Sequence, residues 1–326
     1  MTSAAFIKTA SEDAGTRSGF TLSQADILEH LGTDHPFVER LTSEEVLRLA
    51  ATDYGDAVGD LLYALGASEV KGMPPLSHRF LIELPEEKRD MLDVMELVKL
   101  SALAMEYGRR KLTTPADNGE VMDEIKSLLG NRTPVLIDHL HIAIDKEIAL
   151  NPFYVGTRVI RDQVALRDLF TSEKLPMDND SFFDQRFINY LARHPDSLLN
   201  INWRQFEGLT AEWFHREGYQ VDLGPGRNDG GVDVRLWKTD NDRTGPPAII
   251  VQCKRLREKI DKVTVKALYA DLLHENAEHG MIVATSDLSP GAARDVRTRR
   301  YPITDVNRIT VNDWVEAMSK PGAGVI

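Results

Sequence analysis

The chain contains a single cysteine, Cys253, among its 326 residues. One cysteine excludes an intrachain disulfide and any metal site built from several cysteines. Long apolar runs are also missing, and a membrane-spanning helix needs about 18 or more consecutive apolar residues. The first residues lack the basic start and apolar stretch of a secretory signal. We therefore expect a cytoplasmic protein without a membrane partner.

A phosphate-binding loop of the form G-x-x-x-x-G-K-[ST] is absent as well. The glycine-rich stretch that begins at Gly224 has no lysine at the required place, and we expect no helix directly after it. The sequence therefore predicts no nucleotide-driven motor.

Charge is distributed unevenly along the chain. The formal net charge is −12, from 39 Lys and Arg against 51 Asp and Glu. Residues 197–326 carry 18 residues of each sign, so the whole negative excess lies in residues 1–196. Two halves of different charge indicate two domains with different partners. We place the boundary near residue 196, just after Pro195.

Apolar residues of the first half recur at the three- and four-residue steps that are typical of helices. The clearest helix is predicted to begin at Pro85 and to end near Lys111, with acidic residues in its first turn and basic residues in its last. Its second face is also largely apolar, so we expect this helix to be a buried centre. Further helices are predicted over 22–31, 44–65, 120–130, 135–149 and 160–171, and a last one, capped by Ser181, up to about His194.

Two histidines, His139 and His141, suggest a metal site at first sight. Residues two apart on a helix point to different faces, so these two cannot chelate one ion together. We interpret them as surface or core-edge histidines. The acidic helical domain in residues 1–196 could bind a partner protein, hold a homo-oligomer together or mask the second domain, and these alternatives stay open.

The second half alternates between helical and strand patterns. Asn202, followed three residues later by Gln205, resembles a capping box that opens a helix ending at Gly218. Strands are predicted at 219–223, 232–237, 248–254 and 281–285, and helices at 262–278 and 290–299. The strands near 250 and 282 are joined by one helix, so they should be parallel through a right-handed crossover.

Polar residues stand out within these strands and on the helix before them. Alternation along the third strand directs Gln252 and Lys254 to one face and Cys253, a small core residue, to the other. Asp233 lies in a strand, where aspartate is disfavoured, directly after a glycine-rich turn. Glu207 lies at the edge of the apolar stripe of the capped helix.

Carboxylates and a lysine at one edge of a sheet suit one chemical task. Carboxylate oxygens are ligands that Mg²⁺ prefers, and Mg²⁺ also binds phosphate oxygens. A bound ion lowers the pKa of a water ligand, and an ammonium group stabilises the negative charge that develops on a phosphate. The pattern favours phosphodiester hydrolysis. The structural alternative is a plain ion pair between Lys254 and Asp233, with Glu207 solvated.

The order of these residues resembles the Mrr-type restriction endonuclease domain of the PD-(D/E)XK nuclease superfamily. The resemblance covers residues 200–317. It rests on Phe206-Glu207, Asp229-Gly-Gly-Val-Asp233, Gln252-Cys253-Lys254, Gly280-Met-Ile-Val-Ala-Thr-Ser286 and Ala292-Ala293. It implies an α/β fold with a mixed-sheet restriction-endonuclease-like core in residues 197–326, preceded by an all-α domain in residues 1–196.

The resemblance also implies roles for single residues. Asp233 would be the principal metal ligand, Lys254 the catalytic lysine, and Glu207 the helix carboxylate that completes the site through a metal-bound water. Gln252 would be a metal ligand in place of the superfamily's usual acid, as in many Mrr-like members. The implied cofactor is Mg²⁺, with Mn²⁺ as a substitute, and the missing charge disfavours a tight two-metal site. Asp229 matches a common family position whose role stays open.

Basic clusters in the second half suit a nucleic-acid partner. A domain of zero net charge with local basic clusters can follow a DNA backbone. The candidate DNA-binding residues are Arg255, Arg257, Lys259, Lys262 and Arg297. The resemblance implies an endonuclease that cuts double-stranded DNA, foreign or modified, in restriction or defence. A non-catalytic DNA-binding or sensor module and a repair or junction-resolving nuclease are the alternatives.

Overall fold

Two compact units make up the chain, Met1–Val164 and Ala165–Ile326. The structure, a computed structural model, describes residues 2–36, 38, 41, 46, 48, 50–113, 118–154, 162–176, 181–226, 231–238 and 243–320. Within these residues, no helix has both the length and the apolar character that crossing a membrane requires.

The first unit is built mainly from helices. They include α1 (Ser3–Ser18), α2 (Gln24–Leu31), α3 (Ala51–Ala64), α4 (Leu76–Glu83), α5 (Val94–Thr113), α6 (Gly119–Leu129) and α7 (Thr133–Leu150), with 3-10 turns at Glu86–Met91 and Gly130–Arg132. Two-residue strands lie at Phe20–Thr21 (β1) and Val164–Ala165 (β2). The helices α4 to α7 share one core, which contains Phe80, Leu100, Ile125 and Leu140. The predicted helical character of the first part of the chain is confirmed.

The helix predicted to begin at Pro85 begins at Val94 instead. Asp93 is the reason, because its Oδ1 accepts the N–H of Glu96 at 2.8 Å while its own N–H donates to Glu96 Oε2 at 3.0 Å. This reciprocal cap starts a new helix, and Pro85 only precedes the 3-10 turn. The prediction that the helix is a buried centre is wrong, because only one of its faces is buried.

The second unit combines helices with one five-stranded sheet. Its helices include α8 (Asp168–Thr171), α9 (Gln185–Arg193), α10 (Trp203–Arg216), α11 (Lys262–Glu275), α12 (Pro290–Arg299) and α13 (Arg308–Ser319), with a 3-10 turn at Pro195–Leu199. The sheet order is β3 (Gln220–Leu223), β4 (Val234–Trp237), β5 (Ile249–Lys254), β6 (His279–Ala284) and β7 (Ile303–Val306). The first three strands are antiparallel, and β5, β6 and β7 are parallel. The predicted α/β class and the parallel crossover between β5 and β6 are confirmed.

The prediction of a helix over 160–171 is wrong for the residues that the structure describes in this range. The strand β2 interrupts this segment, and α8 covers only its last four residues. Asp184, rather than the predicted Ser181, caps the next helix, because its Oδ1 accepts the N–H of Arg186 at 2.9 Å.

The second unit begins before the predicted boundary near residue 196. Hydrogen bonds join the preceding segment to α10: Gln205 Nε2 donates to Lys174 O at 2.6 Å, and Phe182 N–H donates to Glu212 Oε2 at 2.7 Å. Gln205 is thus engaged away from the predicted capping box, although Asn202 does cap α10. Charge changes near residue 196, whereas packing divides the chain at residue 165.

The last strand and helix, β7 and α13, have no counterpart in the sequence prediction. Only Ile303 of β7 is fully buried, so the strand lacks the apolar alternation that indicated the others. It pairs in parallel with β6, where Ile303 is opposite Gly280. Ile303 also belongs to the core with Ile282 and with Leu268 of α11. The partner strand therefore specifies β7 more than its own composition does.

Candidate active site

The strands β4 and β5 stop pairing at the point where the candidate residues lie. Their register ends at Val234 opposite Val251, beyond which the N–H of Asp233 donates to Val251 O at 2.9 Å. The carboxylate of Asp233 then takes the place of a main-chain acceptor, because its Oδ2 accepts the N–H of Cys253 at 2.6 Å. Asp233 is 8% exposed. The side chain is therefore fixed at the end of the ladder.

Gln252 has one half of its amide fixed and the other half unpaired. Its Nε2 donates to Gly231 O at 2.9 Å. Gly231 has a φ of +95°, in the left-handed region that favours glycine. The Oε1 of Gln252 is buried and has no hydrogen-bond partner among the residues that the structure describes. A buried acceptor without a partner is rare in folded proteins, so this oxygen is a candidate ligand for an external group.

Glu207 lies on α10, which packs against β3, β4 and β5. Its side chain is buried, and its Oε2 accepts a hydrogen bond from Arg204 Nη1 at 2.7 Å. The next residue, Gly208, lets the other side of α10 pack closely against the segment that precedes the helix. A Cβ at Gly208 would lie 2.7 Å from Leu175 Cδ2 and 2.8 Å from Phe182 O. The helix therefore brings a buried, paired carboxylate to the sheet.

The charged candidates all influence the pKa of the Cys253 thiol. Burial raises the pKa of this thiol well above its ordinary value, and the negative charge of Asp233 raises it further. A hydrogen bond with Thr210 lowers this pKa, Glu207 raises it and Lys254 lowers it. Asp233, Glu207 and Lys254 therefore all affect the pKa of one buried thiol. The thiol stays protonated near neutral pH, which agrees with its prediction as a core residue.

Lys254 is the last residue of β5 and is half-buried. Across the described part of the chain, its ammonium group makes no hydrogen bond or ion pair, including none with Asp233. The alternative of a plain ion pair between these two residues therefore has no support there. Asp229 lies outside the described residues, so its predicted place is not tested.

Two of the predicted DNA-binding residues line one cavity. Arg257 and Lys259 border a space of about 370 Å³ together with Ser286, Asn307 and Arg308. The cavity lies beyond the carboxyl ends of the parallel strands, where open α/β sheets commonly bind ligands. The sequence prediction missed Arg308 because it begins α13, which follows a strand without a clear signal.

The other predicted DNA-binding residues do not line this cavity themselves. Arg255 donates from Nη1 to Leu199 O at 3.1 Å. Lys262 pairs with Asp295 at 3.8 Å, which offsets its charge. Arg297 is exposed in the last turn of α12. Of the five basic residues, Arg257 and Lys259 line this concave surface, and Arg255 binds the carbonyl of Leu199, which also lines it.

Residues 198–315 match the protein-family model Mrr_cat, described as restriction endonuclease. The predicted resemblance of residues 200–317 to the Mrr-type domain is confirmed by this match. The C-terminal third of the chain is therefore a restriction endonuclease domain of the Mrr type. Domains of this kind typically use a divalent metal ion.

Particular relatives are similar to the same part of the chain. The uncharacterized protein y4cE of Sinorhizobium fredii (strain NBRC 101917 / NGR234) is 29% identical over 108 residues, 33% of this chain and 28% of that protein. The type IV methyl-directed restriction enzyme EcoKMrr of Escherichia coli (strain K12) is 28% identical over 105 residues, 31% of this chain and 33% of that enzyme. This chain thus spans about a third or less of the length of either relative. A solved structure of MspJI restriction endonuclease with a 27-mer oligonucleotide is 18% identical, covers 58% of this chain and 42% of that chain, and has a TM-score of 0.29.

Proposed function

We propose that this chain is a metal-dependent endodeoxyribonuclease that hydrolyses phosphodiester bonds of double-stranded DNA in restriction or defence. The observation that carries the proposal is the buried, unpaired Oε1 of Gln252 in the described structure, on the strand β5 that ends at Lys254 and pairs with the strand that Asp233 precedes. The name of EcoKMrr, a methyl-directed enzyme, supports modified DNA as the first substrate to test.

The donor atoms of Asp233, Gln252 and Glu207 fit a hard divalent cation such as Mg²⁺ or Mn²⁺. Such an ion binds oxygen ligands, and Mg²⁺ commonly takes one or two carboxylates together with waters and substrate phosphates. Asp233 and Gln252 would offer a carboxylate and an amide oxygen directly. Glu207, which is engaged by Arg204, would complete the site through water. A bound ion would polarise the scissile phosphate and lower the pKa of the attacking water.

No group of three or more His, Cys, Asp and Glu side chains among the described residues is arranged to hold a metal. The proposed set of two carboxylates and one amide falls outside this definition, because an amide is not a member of such a group. Because Gln252 replaces the superfamily's usual acid, the set carries one negative charge fewer. This also favours a single metal ion over a tight pair of ions.

The protein's own residues prepare the site for phosphate. The half-buried ammonium of Lys254 donates a hydrogen bond to a phosphate oxygen and stabilises the charge that develops when water attacks phosphorus. The N–H of Cys253 holds the carboxylate of Asp233, and Gly231 O holds the amide of Gln252. These donors and acceptors are therefore aligned before DNA binds, which reduces the reorganisation needed in the transition state.

The cavity beyond the strand ends provides a place for a second phosphate of the same DNA backbone. Arg257 and Lys259 line it and have no acidic partner in the described ranges. Arg308 pairs with Asp196 at 3.2 Å, and Asp196 is almost fully exposed. Surface pairs of this kind contribute little, so a phosphate can displace the carboxylate. Binding through these three residues should weaken as salt rises.

The test is incubation of the full chain with methylated and unmethylated supercoiled plasmid, in Mg²⁺ and in EDTA. We expect nicking or linearisation in Mg²⁺ alone. Lys254→Ala should slow cleavage by about 100-fold or more, while its melting temperature stays near that of the wild type. The matched control is Lys320→Ala, which removes an exposed lysine paired with Glu316 at 3.0 Å and should cleave normally.

Each outcome bears on the proposal directly. Cleavage by Lys254→Ala at the wild-type rate would refute the role of this lysine. DNA binding without cleavage of either plasmid would refute the nuclease proposal and favour the non-catalytic module. Equal cleavage of both plasmids would refute a requirement for methylation and leave the hydrolysis itself supported.

A further inference from the structure

Arg204 is bonded to a residue of the candidate active site but has no role in the chemistry proposed above. It lies in the first turn of α10, and its Nη1 donates to Glu207 Oε2 at 2.7 Å. The side chain of Arg204 is 15% exposed, whereas that of Glu207 is 7% exposed. A guanidinium group offers donors on every nitrogen, yet Nε and Nη2 of Arg204 form no hydrogen bond with the residues that the structure describes. These donors are therefore available to a ligand.

A glycine determines where this guanidinium group lies. Gly226 has a φ of +85°, and a Cβ there would lie 3.0 Å from Arg204 Nη1 and 3.1 Å from Arg204 Cδ. The segment that contains Gly226 is joined to the candidate site, because the N–H of Gly224 donates to Asp233 O at 2.8 Å. Arg204 thus contacts Glu207 and also packs against the segment bonded to Asp233.

A second arginine on α10 illustrates a pair that serves the fold alone. Arg216 donates from Nε to Oε1 of the buried Glu212 at 2.7 Å. Its other nitrogens are also engaged, since Nη1 donates to Met318 O at 3.1 Å and Nη2 donates to Gln185 Oε1 at 2.8 Å. Arg216 therefore uses all its nitrogens within the protein, whereas Arg204 uses one.

We propose that Arg204 binds a backbone phosphate of DNA at the candidate active site while its Nη1 stays bonded to Glu207. This inference rests on the proposed function and adds a DNA-binding residue to it. Arginine presents its donors as a rigid planar fork that suits phosphate oxygens. The proposed site has two carboxylates, Asp233 and Glu207, and one ammonium group, that of Lys254. Arg204 supplies the second positive charge, which lowers the repulsion between these carboxylates and an approaching phosphate.

The first test is the binding of a fluorescent DNA duplex to the full chain in EDTA, measured by fluorescence anisotropy at salt concentrations from about 50 to 200 mM. Each phosphate contact contributes about 0.9 to the slope of log K against log salt for duplex DNA. Arg204→Gln should therefore weaken binding about tenfold or more at low salt and make this slope shallower by about 0.9. The matched control is Arg216→Gln, which also removes an arginine paired with a buried glutamate on α10 and should leave the slope unchanged.

A second comparison separates a direct phosphate contact from an effect through Glu207. Loss of Arg204 removes the cation bonded to a buried carboxylate, and that carboxylate would then repel DNA and destabilise the fold. In a Glu207→Gln background this charge is absent, so adding Arg204→Gln breaks no ion pair. A direct contact predicts the same loss of about 0.9 in slope between these two proteins. Thermal melting in EDTA should show that both of them are folded.

Equal DNA binding by the two proteins of the Glu207→Gln background would overturn the inference, because Arg204 would then act only through Glu207. An equal change of slope for Arg216→Gln would overturn it too, as would failure of the wild-type chain to bind the duplex. DNA cleavage by the wild type together with an unchanged slope for Arg204→Gln would refute the phosphate contact and keep the nuclease. A shallower slope in a chain that never cleaves DNA would keep the contact and refute the nuclease.

Discussion

Asp233 supports the backbone as well as the candidate metal site, and two substitutions separate these roles. Asp233→Ala removes the acceptor of the Cys253 N–H, which is buried between strands. Asp233→Asn keeps a carbonyl oxygen that can accept the same hydrogen bond, but it removes the negative charge. We expect both variants to lose cleavage activity. The alanine variant should also lose more stability than the asparagine variant.

The size of the stability loss follows from this hydrogen bond. Leaving a buried donor unsatisfied costs about 1–3 kcal/mol, and hydrogen bonds to charged groups contribute about 1.5–3 kcal/mol. In a unit of this size each kcal/mol shifts the melting temperature by roughly 2–4 °C. A loss of about 2 kcal/mol therefore predicts that Asp233→Ala melts roughly 4–8 °C below the wild type. Asp233→Asn retains a neutral hydrogen bond of about 1 kcal/mol and should lose at most about half as much.

Thermal melting in EDTA measures the structural role, and plasmid nicking in Mg²⁺ measures the chemical one. The matched control is Asp222→Ala on β3, whose exposed carboxylate pairs with Arg243 at 3.4 Å. An exposed pair contributes about 0–1 kcal/mol, so this control should melt close to the wild type. A wild-type melting temperature for Asp233→Ala would refute the structural role. Wild-type cleavage by Asp233→Asn would refute the role as metal ligand.

Further predictions concern the same unit. In the wild type, Nε2 of Gln252 donates to Gly231 O at 2.9 Å. Gln252→Glu replaces this donor with a carboxylate oxygen, so the free energy of unfolding in EDTA should fall by about 1–3 kcal/mol. Mg²⁺ should stabilise this variant more than the wild type in thermal melts, and equal shifts would contradict the metal site. Gly208→Ala should lower the urea midpoint, because overpacking costs about 1–3 kcal/mol, and an unchanged midpoint would count against the packing of α10. Cys253 should react with a thiol reagent at pH 8 only as the second unit unfolds, since burial raises its pKa. Fast labelling of the native protein would be the contrary result.

Most elements of the second unit could be predicted because their signals are local. Asn202 and Ser289 each cap the helix that follows, as predicted, through a side-chain oxygen that accepts a nearby N–H. The alternation along β5 depends on only six residues. The candidate site, in contrast, was predicted from the order of Glu207 and the other polar residues along the chain and not from a local signal. Their hydrogen bonds could not be predicted, because they depend on where two strands stop pairing.

By itself, the sequence determined the helical first part, the strands β3 to β6 and the parallel crossover between β5 and β6. Each of these follows from capping and periodicity, which act between residues a few positions apart. Only the tertiary structure decided which face of α5 is covered, that β7 joins the sheet, and that Gly231 holds one half of the Gln252 amide while Oε1 stays unpaired among the described residues. These features depend on contacts between residues that are distant in sequence. The free energy of such contacts depends on how much apolar surface each element buries, and on which hydrogen-bond partners it meets, once the elements have packed together.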